Sequence, residues 1–138
     1  MSALQCVAWL EVLVSVGATA LAIAALPLLG DAALAAFGLM GLLGFSFVLL
    51  KSRGESIVVD ERDRAIDRRA IRWGAGAGWV VLLLGCVAIV VRASLVGQET
   101  ASLRALTWLV ATQPAIVYTV KGLTALASYR ADHHATQV

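Results

Sequence analysis

Four runs of about twenty residues, roughly 4–29, 32–50, 73–91 and 105–128, are built mostly from Ala, Leu, Val, Ile, Gly and aromatic residues and nearly exhaust the 138-residue chain. About 20 residues of helix cross a hydrocarbon core roughly 30 Å thick. Each run therefore has the length of one membrane crossing. An apolar content of 60% with 14% charge and a mean hydropathy of +0.86 is not that of a soluble domain of this size. The sequence reads as an all-α membrane protein, a single domain over residues 1–138 with four transmembrane helices.

Pro27, Gly30 and Asp31 leave only a tight turn between the first two runs, so these are expected to form an antiparallel hairpin. The first ten residues carry no Lys or Arg and the first run exceeds a signal-peptide core, so it reads as a retained anchor. Seven basic residues lie between runs two and three (Lys51, Arg53, Arg62, Arg64, Arg68, Arg69, Arg72), against Arg92 and Arg104 between runs three and four. Basic loops are held on the cytoplasmic side. The large loop and both termini are thus expected in the cytoplasm of a prokaryotic cell, at its inner membrane. Lys121 and Arg130 agree, and Trp9, Trp73 and Tyr129 would form an inner aromatic belt with Trp108 on the outer one.

Twelve of the twenty Lys, Arg, Asp and Glu residues fall within the loop 51–72. Asp60 is placed as an N-cap with Asp63 three residues on, similar to a capping box. Acids lead and arginines follow, the order that suits a helix dipole. Glu61 with Arg64, Arg64 with Asp67 and Asp60 with Arg64 have helical pairing distances, whereas Asp63 and Asp67 oppose each other. Val59, Ile66, Ala70 and Trp73 fall on one side. No proline intervenes, so a single helix of about 32 residues, roughly 48 Å long, is expected from Asp60 through the third run. The residues after Ser128 (129–138) read as a frayed tail.

Glycines recur every three residues at Gly38, Gly41 and Gly44, and Gly74, Gly76 and Gly78 open the third run. The outer two of that trio have GxxxG spacing, which lets membrane helices approach closely. They mark candidate helix-packing surfaces, within one chain or in a homo-oligomer.

Catalytic chemistry is not visible. There is no nucleophile with a base, no ligand cluster and no pair of tuned carboxylates. His133 and His134 are adjacent without a third ligand at useful spacing, so no metal site and no cofactor are implied. Cys6 and Cys86 lack CxxC spacing and read as buried thiols. GAGAG at 74–78 lacks the Lys and Ser or Thr of a phosphate loop. Five acids interleave the loop arginines, which argues against direct nucleic-acid binding.

Two ionisable residues lie at the edges of the runs. Glu11 is about 28 Å of helix from Gly30, and Lys121 about 26 Å from Arg104, so the two share a depth near the cytoplasmic boundary. An ion pair, snorkelling or a proton site are the readings for Glu11 and Lys121.

The run D60-E61-R62-D63-R64-A65-I66-D67-R68-R69-A70 resembles the D-E-R-x-x-x-I-x-x-[KR]-A signature of small prokaryotic membrane proteins of unknown function, which carry it between the second and third of about four spans. The resemblance implies no activity. It implies likeness to small membrane partners of helix-turn-helix regulators. From the residues themselves we expect a non-enzymatic membrane anchor or regulatory interaction protein whose loop 51–72 docks a cytoplasmic protein, in preference to anionic lipid, with Asp60, Glu61, Arg62, Arg68 and Arg69 at the contact. Insertion alone needs only the basic residues, so the acids ask for another explanation. The alternative is a small proton-coupled transporter using Glu11, because a glutamate in the first of four spans resembles the small multidrug resistance transporters.

Overall fold

The computed structural model describes residues 3–43, 61–97, 100 and 102–135. Among these there is no strand. The elements are α1 (Ala3–Leu29), a 3-10 helix η1 (Gly30–Met40), α2 (Glu61–Leu95) and α3 (Leu103–Ala135). The all-helical class is thus as expected. Residues 44–60, including Gly44, Val59 and Asp60, lie outside the described residues.

α1 ends at Gly30, whose φ of +56° stops a right-handed helix at little cost for a residue without Cβ. The chain then folds back along α1, and the Ser15 hydroxyl comes within 3.9 Å of Met40 Sδ. The return is wound as 3-10 helix for 11 residues, far beyond the usual three or four. Composition explains why this is tolerated. At three residues per turn, side chains three apart eclipse, and here one entire row is Ala32, Ala35, Gly38 and Gly41.

α2 is one continuous helix of 35 residues, carrying the charged segment and the third run together. Its apolar part was expected to stop at Arg92, yet the helix runs one turn further and closes at Gly97, with φ +69°. The Gly97 amide donates to the Ser94 carbonyl at 3.2 Å. Ser102 accepts the Ala105 amide at 3.4 Å and caps the start of α3. α3 then continues through Ala135, so residues 129–135 are helix where a frayed tail was expected; 136–138 lie outside the described residues.

Two segments are long and apolar enough to cross a membrane, Leu4–Leu43 and Glu61–Leu95. Four were expected. The first segment is not a straight rod, since it doubles back at Gly30. α3 does not qualify, because Gln113, Pro114, Lys121 and its threonines dilute the aliphatic residues.

Packing follows one plan. η1 lies on α1 and touches α3, and α3 packs against both α1 and α2. Most buried positions are small or polar, among them Ala8, Glu11, Ser15, Ala18, Ala22, Ala33, Ala70, Ala115 and Ala125, with Val7, Leu43, Ile66 and Leu126 the larger ones. The large side chains point outward, among them Leu13, Ile23, Leu28, Trp79, Leu83 and Leu84, each at least 60% exposed. Most of both apolar segments is exposed. Small residues at helix contacts with aliphatic bulk turned outward is the pattern by which helices associate in lipid, where close contact and not water exclusion is the driving force.

Candidate functional site

The charged start of α2 is fixed by apolar contact first. Ile66 and Ala70, 8% and 0% exposed, form one cluster with Ala8 of α1 and Ala125 and Leu126 of α3, with Val12 and Tyr129 against it. Trp73, expected on the same stripe, is 60% exposed instead. Four and eight residues beyond Ala70 the helix axes close in further. A Cβ at Gly74 would stand 2.6 Å from the Val117 carbonyl oxygen, and one at Gly78 2.6 Å from Val117 Cγ2. Only glycine permits this approach. Gly122 does the same for α1 and α3, where a Cβ would meet Val12 Cγ2 at 2.6 Å and the Ala8 carbonyl at 2.9 Å.

These close approaches bring three ionisable residues from three helices together. Lys121 Nζ donates to Glu11 Oε1 at 2.7 Å and stands 3.5 Å from Asp67 Oδ1. The side chains of Lys121 and Glu11 keep only 16% and 7% of their exposure, whereas that of Asp67 keeps 41%. The lysine stem explains the geometry. Its Cβ lies beside Gly74 while its Nζ reaches Asp67, so the side chain extends along α2 toward the charged end. That is snorkelling, with two carboxylates waiting at its end. The Glu11 backbone carbonyl is also engaged, accepting the Ser15 hydroxyl at 2.6 Å.

One helical turn nearer the start of α2, the Tyr129 hydroxyl donates to Asp63 Oδ1 at 3.0 Å. Asp63 and Asp67 therefore do not face each other as unrelieved like charges. Each meets its own partner from α3. Arg64 with Asp67 is accordingly not a pair in the structure, because Asp67 turns across to Lys121. Two of the loop's acids thus serve to fasten the charged helix to the bundle.

The arginines turn the other way. Arg64, Arg68 and Arg72 are exposed and line one side, with Arg68 Nε donating to the Arg64 carbonyl at 3.2 Å and Arg72 Nε to the Arg68 carbonyl at 3.4 Å. None of the three has a carboxylate partner among the described residues. Glu61 and Arg62 are exposed as well. Arg69 occupies a different flank, beside an open groove of about 560 Å³ between α2 and α3 that Trp73, Thr124 and Ser128 also line.

The opposite end of the bundle carries a smaller clasp. Asp31 Oδ1 accepts both Arg104 Nε at 2.7 Å and the Trp108 indole N–H at 3.1 Å. The indole bond, and after it the guanidinium, hold the Asp31 carboxyl below its ordinary range. With Glu11 and Lys121 joined at one end and Asp31 and Arg104 at the other, α1 and α3 are tied at both ends.

Of the glycines, Gly74 and Gly78 lie at the α2–α3 contact, whereas Gly38, Gly41 and Gly76 face open space. Cys6 was read as buried and is exposed; Cys86 is half-buried. Among the described residues no group of three or more His, Cys, Asp or Glu side chains could hold a metal ion. The side chains of His133 and His134 lie outside the described residues. Sequence reasoning missed Gly85, Gly122 and Ser15, and read Tyr129 only as an aromatic-belt residue. Position 85 could have been found from its spacing, since it continues the Gly74–Gly78 face seven residues on.

Comparison with protein families, curated proteins and solved structures finds no match for this chain. The resemblance carried by residues 60–70 therefore rests on that motif.

Proposed function

We propose that this is a four-span inner-membrane protein with both termini in the cytoplasm, without catalytic activity of its own, which presents the charged start of α2 to a cytoplasmic protein. The outward-facing aliphatic surface and the small, polar interior support the membrane reading. The observation that carries the docking reading is the fastening of the charged helix. Tyr129 and Lys121 hold Asp63 and Asp67, so Arg64, Arg68 and Arg72 stand as a fixed row facing away from the bundle. A merely solvated helix end has no need of two cross-helix ties.

A fixed row of arginines fits an acidic protein surface, to which guanidinium groups bind with defined geometry. Likeness to small membrane partners of helix-turn-helix regulators makes such a regulator the first candidate. The contact residues are then Glu61, Arg62 and Arg68, joined by Arg64 and Arg72. Asp60 lies outside the described residues, and Arg69 is set on the groove flank.

The transporter alternative draws little from the geometry. Glu11 is 5% exposed and held by Lys121, which suits a structural tie better than a carboxylate that must meet water from two sides. A photo-crosslinking residue at position 68, with one at lipid-facing Val80 as control, tests the docking reading in living cells. A discrete protein adduct at 68, absent at 80 and lost when Arg64 and Arg72 are changed to Glu, is expected. No adduct at 68, or one indifferent to that charge reversal, would overturn it.

A further inference from the structure

The groove between α2 and α3 differs from the other surface furrow of the bundle. That second furrow, about 700 Å³ between α1 and α3, is lined by residues such as Val16, Ile23, Thr112 and Ile116 and carries no charge. The α2–α3 groove has Arg69 and Trp73 on one wall and Thr124 and Ser128 on the other, over a floor that includes Ile66. Arg69 is exposed and has no ion-pair or hydrogen-bond partner among the described residues. It stands at the mouth of a half-apolar cleft, open to an incoming anion.

Depth decides what can reach it. Counting 1.5 Å per residue from Arg92 on α2, Trp73 lies about 28 Å and Arg69 about 34 Å along the helix. From Arg104 on α3, Thr124 lies about 30 Å and Ser128 about 36 Å along. A hydrocarbon core is roughly 30 Å thick. Both walls therefore leave the hydrocarbon at the same level, and Arg69 and Ser128 stand within the next layer, where phosphates lie. Trp73 is at the boundary itself, the usual place for an interfacial indole.

The hydroxyls are suited to the same neighbour. Thr124 and Ser128 now donate to the carbonyls of Val120 and Thr124, at 2.8 and 2.9 Å. Rotation of either O–H about its Cβ–O bond frees it toward the groove, at the cost of a back-bond that helices readily forgo. By the same count Ile66 lies about 39 Å along α2, on the cytoplasmic side of Arg69, so an acyl chain held by its phosphate at Arg69 runs the other way, past Trp73. A guanidinium, two hydroxyls opposite it and an indole at the hydrocarbon boundary match a phosphate ester whose chain continues past Trp73 into hydrocarbon.

We infer that this groove is a binding site for the phosphate headgroup of an anionic phospholipid of the cytoplasmic leaflet, held by Arg69 with Thr124 and Ser128. The inference rests on the membrane-spanning, positive-inside reading above. It assigns Arg69 to lipid and leaves the outward row of Arg64, Arg68 and Arg72 to the protein partner.

The test uses full-length protein in a neutral maltoside detergent, titrated with short-chain phosphatidylglycerol and, in parallel, phosphatidylcholine, with bound lipid counted by native mass spectrometry. A parallel titration at about 0.5 M salt follows lipid-dependent tryptophan fluorescence, since attraction to unshaped surface charge is largely screened there. Phosphatidylglycerol is expected to bind at one per chain in preference to phosphatidylcholine. Arg69→Ala should weaken it by at least about fivefold, the effect of one basic residue near an anionic surface. Arg68→Ala, an equal charge change on the outward row, should weaken it by less than about twofold at that salt. Ser128→Leu fills the groove without touching charge and should abolish the preference. Equal losses for Arg68→Ala and Arg69→Ala, an indifferent Ser128→Leu, or no preference between the two lipids would each overturn the site. Saturation by inorganic phosphate alone at comparable concentration would overturn the lipid assignment. Resistance of the chain to alkaline extraction from membranes is scored separately. A chain that stays in the membrane but shows no lipid preference loses only the site, whereas one released by alkali loses the membrane reading itself.

Discussion

Lys121 is the residue whose removal should damage the bundle most, because it serves two carboxylates and one of them has no other recourse. Glu11 is 5% exposed and its carboxylate has Lys121 as its cation at 2.7 Å, whereas Asp67 at 3.5 Å keeps 41% of its side-chain exposure. At an effective dielectric constant of about 20, unit charges at that shorter distance attract by about 6 kcal/mol, and the desolvation of both ions removes several of these. The intact pair is thus worth little net. Breaking it is another matter. Lys121→Met strands Glu11 and should cost about 3–5 kcal/mol, the price of an uncompensated buried charge. Glu11→Gln leaves the lysine a neutral acceptor and Asp67, and should cost about 1.5 kcal/mol, one charge-assisted hydrogen bond. The double change removes both buried charges and should cost less than Lys121→Met alone. Unfolding of the purified protein in mixed maltoside and dodecyl sulfate micelles, followed by circular dichroism, measures all three. Additive single changes, or a Glu11→Gln more damaging than Lys121→Met, would refute the reasoning.

Gly74→Val should destabilise the α2–α3 contact by about 1–3 kcal/mol, because its Cβ would collide with the Val117 backbone carbonyl, while Gly76→Ala, facing open space, should be neutral or better in the same assay. The Asp31 clasp should depend on pH in one direction only. Its carboxyl is lowered in the folded chain, so its contribution is present above the unfolded value of about 3.9 and is lost as pH falls through the lower folded value. In a variant retaining Trp108 as its single tryptophan, emission should hold steady from pH 7 to about 5 and change only in stronger acid; a transition near neutrality would exclude Asp31 as its cause.

What the sequence disclosed depends on how far apart the interacting residues lie along it. Continuity of α2 was legible because no proline or glycine pair interrupts 61–73, and a helix needs only local consent to continue. The shared depth of Glu11 and Lys121 was legible from counting residues to the two outer turns, and the structure places them in contact. The roles of Asp63 and Asp67 were not. Reading within one helix offered Arg64 as a partner at helical spacing, whereas both acids point to α3, more than fifty residues away, at Tyr129 and Lys121. An exposed i,i+3 pair is worth only a few tenths of a kcal/mol, so packing easily turns an acid elsewhere. Gly122 was hidden for the same reason, since its contact is defined by the helix opposite it, whereas Gly85 shares the spacing of Gly74 and Gly78. The 3-10 winding of η1 was half visible in the three-residue recurrence of Gly38 and Gly41, which was read only as a packing surface. α3 was underestimated at its end, because polar residues after Ser128 suggested fraying, and Tyr129 was read as part of an aromatic belt and not as the partner of Asp63.

The measurement closest to the central claim is the sidedness of the charged segment. In a background with Cys6 and Cys86 replaced by Ser, single cysteines at Ser56 and at Glu99 are exposed in intact cells to a membrane-impermeant thiol reagent. The account predicts that Glu99→Cys reacts and Ser56→Cys is protected until the membrane is opened. Reaction at Ser56→Cys with protection at Glu99→Cys, or equal reaction at both, would contradict it.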